Sequence, residues 1–461
     1  MTATDQAPCG DLPHNAAKAP AMNTTLHDFL HHTTYHDLPD EVRSFARQWL
    51  LDLIGVAAGG RATSLSRIIH THAARHFGGD GARMLFDGRE VSPAGAALAG
   101  GMTIDALDAH DGHKLTKGHV GCGVFPSLLA MSQAEQRHDA QEFLTDLVLG
   151  YEIGTRAGIA LHRTATDYHT SGAWIAVAVA ALGARVLRLN ATKTREAIGI
   201  AEYHGPRSQM MRTIDHPTMV KDGSGWGAMA GVSAAYLAQD GFTGAPALTV
   251  EQGEVADLWA DLGSNWRITE QYFKAYPVCR WAQPPLQAVL NLRQTHGLTS
   301  RDVARIDITT FHQSRRLAVT DPKTTEEAQY STAFPTAVGM VRGTCGPADV
   351  NEASFSNPEI QRLARSMVIR ESDTYNAAFP AKRIADVTLV LNDGRELRSG
   401  PTEAVGDPEN PVSPEIVMSK YRAYAEPVLG QARALDIQTQ VLSLGEEDDL
   451  TALLSLLTTA V

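Results

Sequence analysis

Over residues 38–58 apolar side chains return every three or four positions. Val42, Phe45, Ala46, Trp49, Leu50, Leu53 and Ile54 form one wide stripe, which predicts an amphipathic helix. Behind an acidic cap at Asp139, the same spacing through Phe143, Leu147, Val148 and Tyr151 predicts another over 139–161. Two segments, 94–107 and 173–189, are apolar on almost every side and built largely of small residues. Helices of that kind belong in the middle of a helical core, where Ala and Gly let backbones approach closely. Near residue 275 the pattern changes. Residues 304–311 alternate apolar with polar, and 385–399 read as two strands joined by Asn392-Asp393-Gly394, a hairpin signal. Helical stretches at 284–296 and 332–342 lie between them, and 413–461 returns to helix. The expected fold class is mainly α, a large helical domain followed by a smaller α+β domain and C-terminal helices. No internal repeat is visible.

Composition narrows the function classes. The 461 residues carry 40 Lys+Arg against 52 Asp+Glu, a formal charge of −12, which argues against a general nucleic-acid binder. A hydrophobic share of 43% and a charged share of 20% fit a globular protein with large cores. No apolar run is long enough to span a membrane, since Gly183, Arg185 and Arg188 interrupt the best candidate. Residues 1–22, with Asp5, Pro8, Asp11 and Pro13, read as a disordered leader and not as a signal peptide. Cys9, Cys122, Cys279 and Cys345 are widely spaced with no paired motif, so neither a disulfide framework nor a zinc site is indicated, and a cytoplasmic location is expected.

Four polar runs can carry chemistry. The densest extends from Asp105 to His119 after the small-residue helix, ahead of a helix expected to start at Pro126. Asp108 and His119 suit an oriented acid–base pair, and Lys114 and Lys117 suit substrate carboxylates. The same run also reads as a solvated loop that merely ends a helix, or as a metal site of Asp108, His110, Asp111 and His113, although no ligand spacing is matched. The second run, Tyr168-His169-Thr170-Ser171-Gly172, precedes a buried helix and reads either as an anion site at its N-terminus or as a simple cap. The third leads from His204 and Arg207 to Lys221-Asp222-Gly-Ser-Gly-Trp226 and lacks the P-loop pattern. The fourth, Lys274-Ala-Tyr-Pro-Val-Cys279-Arg280-Trp281, lies at the change of domain, with Cys279 either a nucleophile or a buried thiol.

Taken in order, these runs resemble the MmgE/PrpD family. The resemblance rests on the D-x-x-D loop ending in Gly118-His119, Gly150-Tyr-Glu-Ile-Gly154, the run at His169, Gly241-Phe-Thr-Gly244, Lys274-x-Tyr-Pro-x-Cys279, and Ala328-Gln-Tyr330-Ser331. Its most specific part is Gly406-Asp-Pro-x-Asn-Pro-x-Ser413, followed by Lys420-Tyr421. The family includes 2-methylcitrate dehydratase, cis-aconitate decarboxylase and iminodisuccinate epimerase. It implies a homodimer with a large all-helical domain, here 23–273, a smaller α+β lid domain, 274–410, and C-terminal helices, 411–461, packing back on the helical domain. It also implies a site between the two domains and chemistry with neither metal nor organic cofactor. Asp108, His119, His169, Lys221 and Tyr330 would be catalytic, with Lys114, Lys117, Arg207, Lys274 and Cys279 holding a small anionic carboxylate substrate. The implied reaction is a dehydratase-type lyase step, with epimerisation and decarboxylation as alternatives. Two departures stand out. Lys221-Asp-Gly-Ser-Gly-Trp226 replaces Lys-x-Leu-His-x-Gly-Arg, and Cys279 stands where the family's decarboxylases have a histidine.

Overall fold

A computed structural model describes residues 24–446 and 449–461; the leader expected over 1–22 and Cys9 lie outside them. The helical layer is built from α1 (Asp40–Arg61), α2 (Pro93–Asp105), α3 (Gly121–Ala134), α4 (Ala140–Thr164), α5 (Gly172–Val186) and α6 (Ser224–Gln239). The Asp139 carboxylate caps α4 by accepting the Glu142 N–H. The all-round apolar pattern of α2 and α5 is explained by their burial, which leaves no solvent face on α5 until Arg185. Helix α6 lies against both. A Cβ on Gly225 would sit 2.4 Å from the Leu98 carbonyl oxygen, and one on Gly227 would sit 2.3 Å from that of Gly172. The glycines therefore permit backbone-to-backbone packing, which brings the end of α2 and the starts of α5 and α6 to one place.

Pro126 does not start a helix. Helix α3 begins at Gly121 and carries Pro126 inside it, because the glycine-rich run itself winds into the first turn.

The second layer contains α7 (Gln283–His296), α8 (Ala333–Arg342) and a five-stranded sheet. Strand β1 (Val303–Thr310) pairs in parallel with β2 (Val368–Glu371) and antiparallel with β3 (Ile384–Leu391), with Ile308 opposite Val387. Strand β3 continues through the expected hairpin, Gly394 at φ 86°, into β4 (Glu396–Arg398), and also pairs with β5 (Thr402–Glu403). Ala385, Val387, Leu389 and Leu391 point inward, the alternation expected of a strand buried on one face.

Helix α9 (Pro414–Leu429) returns to the helical layer and lies along α1, with Tyr421 packed on Gly55 and Tyr424 on Gly59. Its Lys420 ammonium bonds the buried Asp52 carboxylate at 2.7 Å and the Ala109 carbonyl at 2.6 Å. No described helix is long and apolar enough to cross a membrane.

Candidate active site

The loop after α2, the turns before α5 and α6, and the segment at residues 272–281 converge on one buried polar cavity. Its wall includes Asp108, Lys117, His119, Asp222, Tyr272, Lys274, Cys279, Arg280 and Tyr330. Free space among these side chains is about 20 Å³, room for one water and less than a small carboxylate fills.

His119 is held on three sides. Its backbone N–H donates to Ser171 Oγ at 2.9 Å, its carbonyl accepts the Trp174 indole N–H at 2.7 Å, and its Nδ1 lies 2.5 Å from the Asp111 carbonyl oxygen. A carbonyl only accepts, so Nδ1 carries the proton and the neutral ring turns a lone pair on Nε2 into the cavity. Burial, then Lys274, holds this imidazole down at about 3 against the pull of Asp108, so it is neutral across the physiological range. Nε2 faces Asp108 Oδ1 at 3.7 Å and Asp222 Oδ2 at 4.0 Å.

The two carboxylates differ. Burial pushes Asp108 up, but Lys274, Lys221 and His119 more than offset this, and it stays ionised below the usual carboxylate range. The Lys274 ammonium fixes it by ion-pairing with Oδ1 and bonding its backbone carbonyl at 2.7 Å. Asp222 is pushed up to about 7, by burial and then by the neighbouring Asp105, and only the Ser171 hydroxyl, donating at 2.5 Å, opposes this with a hydrogen bond. Its other oxygen is buried without a partner among the described residues. One acid that stays ionised and another poised near neutrality is the arrangement that divides acid from base roles.

Lys221, 1% exposed, bonds Gln329 Oε1 and sits 4.7 Å over the Tyr330 ring. Gln329 is oriented by donating from Nε2 to the Ala106 carbonyl and Thr325 Oγ1. Tyr330 is pushed well above its ordinary value, by burial and then by Asp108, and so keeps its proton. Burial likewise raises Cys279 to about 12, so at neutral pH it is a thiol and not a nucleophilic thiolate. Asp108, Lys117 and Lys221 are three of the six described non-glycine residues at positive φ, at 47°, 53° and 49°. Strain of this kind persists only where the surroundings fix it.

Not every residue named from the sequence reaches the cavity wall. The chain around His169 pairs with 208–210, which turns its ring to stack on His162 with centroids 6.5 Å apart. Lys114 is taken up by Asp407 at 3.3 Å and Glu409 at 2.7 Å. Arg207 is exposed and lines a separate small cavity with Glu202 and Thr249. The four-residue metal set is also divided, with His113 paired to Glu270 at 2.9 Å. Asp108, His110 and His119 do bring ligand atoms within 4.8 Å of one another. They do not suit a cation, however, because the Lys274 ammonium already occupies the Asp108 oxygen and Lys221 lies nearby.

Sequence reasoning passed over Asp222, Arg280, Tyr272 and Gln329, each beside or within a run it quoted. Arg280 is buried against the Phe273 and Val405 carbonyls and pairs with Asp407 at 2.6 Å, which accounts for the Gly406-Asp407 motif.

This geometry coincides with a relationship along nearly the whole chain. The MmgE/PrpD N-terminal domain matches residues 24–261 and the MmgE/PrpD C-terminal domain residues 276–445. The chain is 25% identical to a cis-aconitate decarboxylase of Aspergillus terreus (strain NIH 2624 / FGSC A1156), covering 91% of this chain and 92% of the relative. It is 22% identical to human cis-aconitate decarboxylase, over 91% of each, and 22% identical to the cis-aconitate decarboxylase-like protein oryM of Aspergillus oryzae, over 99% of each. With both domain types matched in order across the two layers that enclose the cavity, the chain belongs to the MmgE/PrpD family.

Proposed function

We propose that the protein is a lyase that removes a proton beside a carboxylate of a small hydroxy di- or tricarboxylate and expels water, in the manner of a 2-methylcitrate dehydratase. The observation that carries this reading is the pair formed by His119 Nε2, a free base, and Asp222, an acid near 7, 4.0 Å apart on one wall. His119 takes the proton from the carbon. The resulting imidazolium is stabilised by ionised Asp108 at 3.7 Å, itself held by Lys274. Tyr330 on the cavity wall, with the Lys221 ammonium 4.7 Å from its ring centroid, supplies a donor and nearby positive charge for the charge that grows on the substrate carboxylate, and preorganised groups in a dry site are worth most there. Asp222, protonated, delivers its proton to the departing hydroxyl, which leaves as water.

Loss of CO2 is the second reading, favoured by the cis-aconitate decarboxylases among the relatives. In that case the same cations hold the substrate and Asp222 or Tyr330 protonates carbon. Incubation with 2-methylcitrate, citrate, cis-aconitate and a chiral dicarboxylate in D2O, followed by NMR, separates the outcomes. Loss of water with deuterium exchange is expected. CO2 release with deuterium at the protonated carbon of the product supports the second reading, and exchange with inversion and no net loss overturns both in favour of epimerisation.

A further inference from the structure

Three cations around the cavity are already matched by carboxylates: Lys274 pairs with Asp108, Arg280 with Asp407, and Lys114 with Asp407 and Glu409. Lys221 donates to the neutral Gln329 amide. Arg383 and Lys117 differ. Arg383 is 2% exposed, yet among the described residues its Nε and Nη1 find no acceptor, and its one hydrogen bond there is a long 3.4 Å from Nη2 to the Lys114 carbonyl. Its guanidinium carbon lies 5.1 Å from the ring centroid of Tyr272, which forms part of the cavity wall. Lys117, on the wall itself, places Nζ 4.4 Å from the Tyr168 ring centroid and makes no ion pair among the described residues. Burial, then the charge of Arg383, disfavours the charge on Lys117, so the two cations feel each other.

Aromatic faces attract a cation but cannot accept its directed N–H bonds in the plane of the guanidinium. A buried guanidinium lacking acceptors, beside a second unmatched cation, is costly unless an anion completes it. A carboxylate fits this need, since two parallel N–H groups of an arginine match its two oxygens and a lysine adds a point charge.

We propose that Lys117 and Arg383 form a carboxylate subsite for the end of the substrate remote from the reacting carbon, so that the substrate carries at least two carboxylates. Arg383 comes from the segment entering β3 and Lys117 from the loop of the helical layer, so the bound anion closes the cavity across both layers. Binding energy gathered far from the reacting carbon then serves to assemble the site. The proposal rests on the proton-transfer reading for the identification of this anion as part of a substrate.

Calorimetry with two unreactive probes, propane-1,2,3-tricarboxylate and butyrate, tests the subsite without turnover. The wild-type protein should bind the tricarboxylate and not butyrate. Arg383→Gln and Lys117→Gln should each weaken that binding by roughly tenfold or more, and Arg383→Lys should recover part of it by restoring charge without the fork. With a turned-over substrate, Arg383→Gln should raise KM far more than it lowers kcat. Should Arg383→Gln not fold, Arg383→Lys alone carries the test through a loss of several-fold. Equal binding of the two probes, no binding of either, or wild-type affinity in the arginine variants overturns the subsite. Turnover with an unchanged KM in Arg383→Gln sinks this inference and leaves the lyase reading standing. Arg383-dependent binding with no deuterium exchange into any acid does the reverse.

Discussion

Burial, and then the proximity of Asp105, keeps the proton on Asp222, while the Ser171 hydroxyl bonds it. If it is the acid, kcat/KM falls as pH rises through about 7, and Asp222→Asn removes that limb along with most of the rate. Stability falls in the same direction, over a lower window. The folded carboxyl, raised to about 7 from 3.8, keeps a proton that the unfolded chain gives up near 3.8, so its contribution is complete below about 3.8 and is lost as pH rises to 7. Asp222→Asn should therefore match the wild type near pH 4 and exceed it at pH 8, by up to about 4 kcal/mol in urea unfolding. A variant no more stable at pH 8 would mean that Asp222 is an ordinary ionised carboxylate. His119→Ala should cost roughly a hundredfold or more in kcat with little change in unfolding midpoint, and a near-normal rate would remove the ring from the chemistry. At this scale the sequence was partly legible. Asp108, His119, Lys221, Lys274 and Tyr330 belong to motifs, whereas Asp222 follows Lys221 in a run that departs from the family pattern, and Arg383 stands in no motif at all. Its position depends on a chain path from the α+β layer that no local spacing encodes.

Among elements, the contact of α9 with α1 reaches the site most directly. Lys420 sits in helix α9, bonds Asp52 within α1, and supports the Ala109 carbonyl one residue from Asp108. Burial raises the Asp52 carboxyl, and Lys420 opposes that shift. Removing one partner of such a pair leaves a buried charge alone, so Lys420→Ala should destabilise the protein by about 3–5 kcal/mol. The double change Asp52→Leu with Lys420→Met should recover most of that stability yet leave kcat reduced, because the apolar pair fills the space but no longer holds the Ala109 carbonyl. Full activity in the double variant would show that the pair only stabilises the fold. Helix and strand positions were legible where a period of 3.6 or 2 ran over several turns, as in α1 and β3. The start of α3 was not, because Pro126 points to a first turn while the glycines before it are free to wind into the helix. Nor could spacing show that His169 turns toward His162, since that follows from pairing with a segment some 40 residues on.

For the whole molecule, buried titratable groups set the response to acid. His31 and His70 are held at about 4, and His119 and His162 at about 3, in each case chiefly by burial. Each takes up a proton near 6.5 once unfolded, so their contribution to stability is lost as pH falls from about 6.5 toward 3 or 4. Asp111, Glu152 and Asp222, all raised to about 7 chiefly by burial, act with the opposite sign and favour the fold more as pH falls from 7 toward 4. The two sets cover one window and largely cancel. Below about 4 the raised carboxyls are protonated in both states and their slope ends. The histidines still favour the unfolded chain there, joined by carboxylates held low by cationic partners, such as Asp108 beside Lys274 and Asp407 beside Arg280. Scanning calorimetry from pH 3 to 8 should therefore show a melting temperature nearly level between about 5 and 6.5 and a steep fall below 4. Because Asp222→Asn deletes one of the compensating carboxyls, it should tilt the level region so that stability declines from pH 6.5 downward. A wild-type melting temperature that already declines steadily across that range would mean that the buried carboxyls are ionised, and with them the acid assigned to the site.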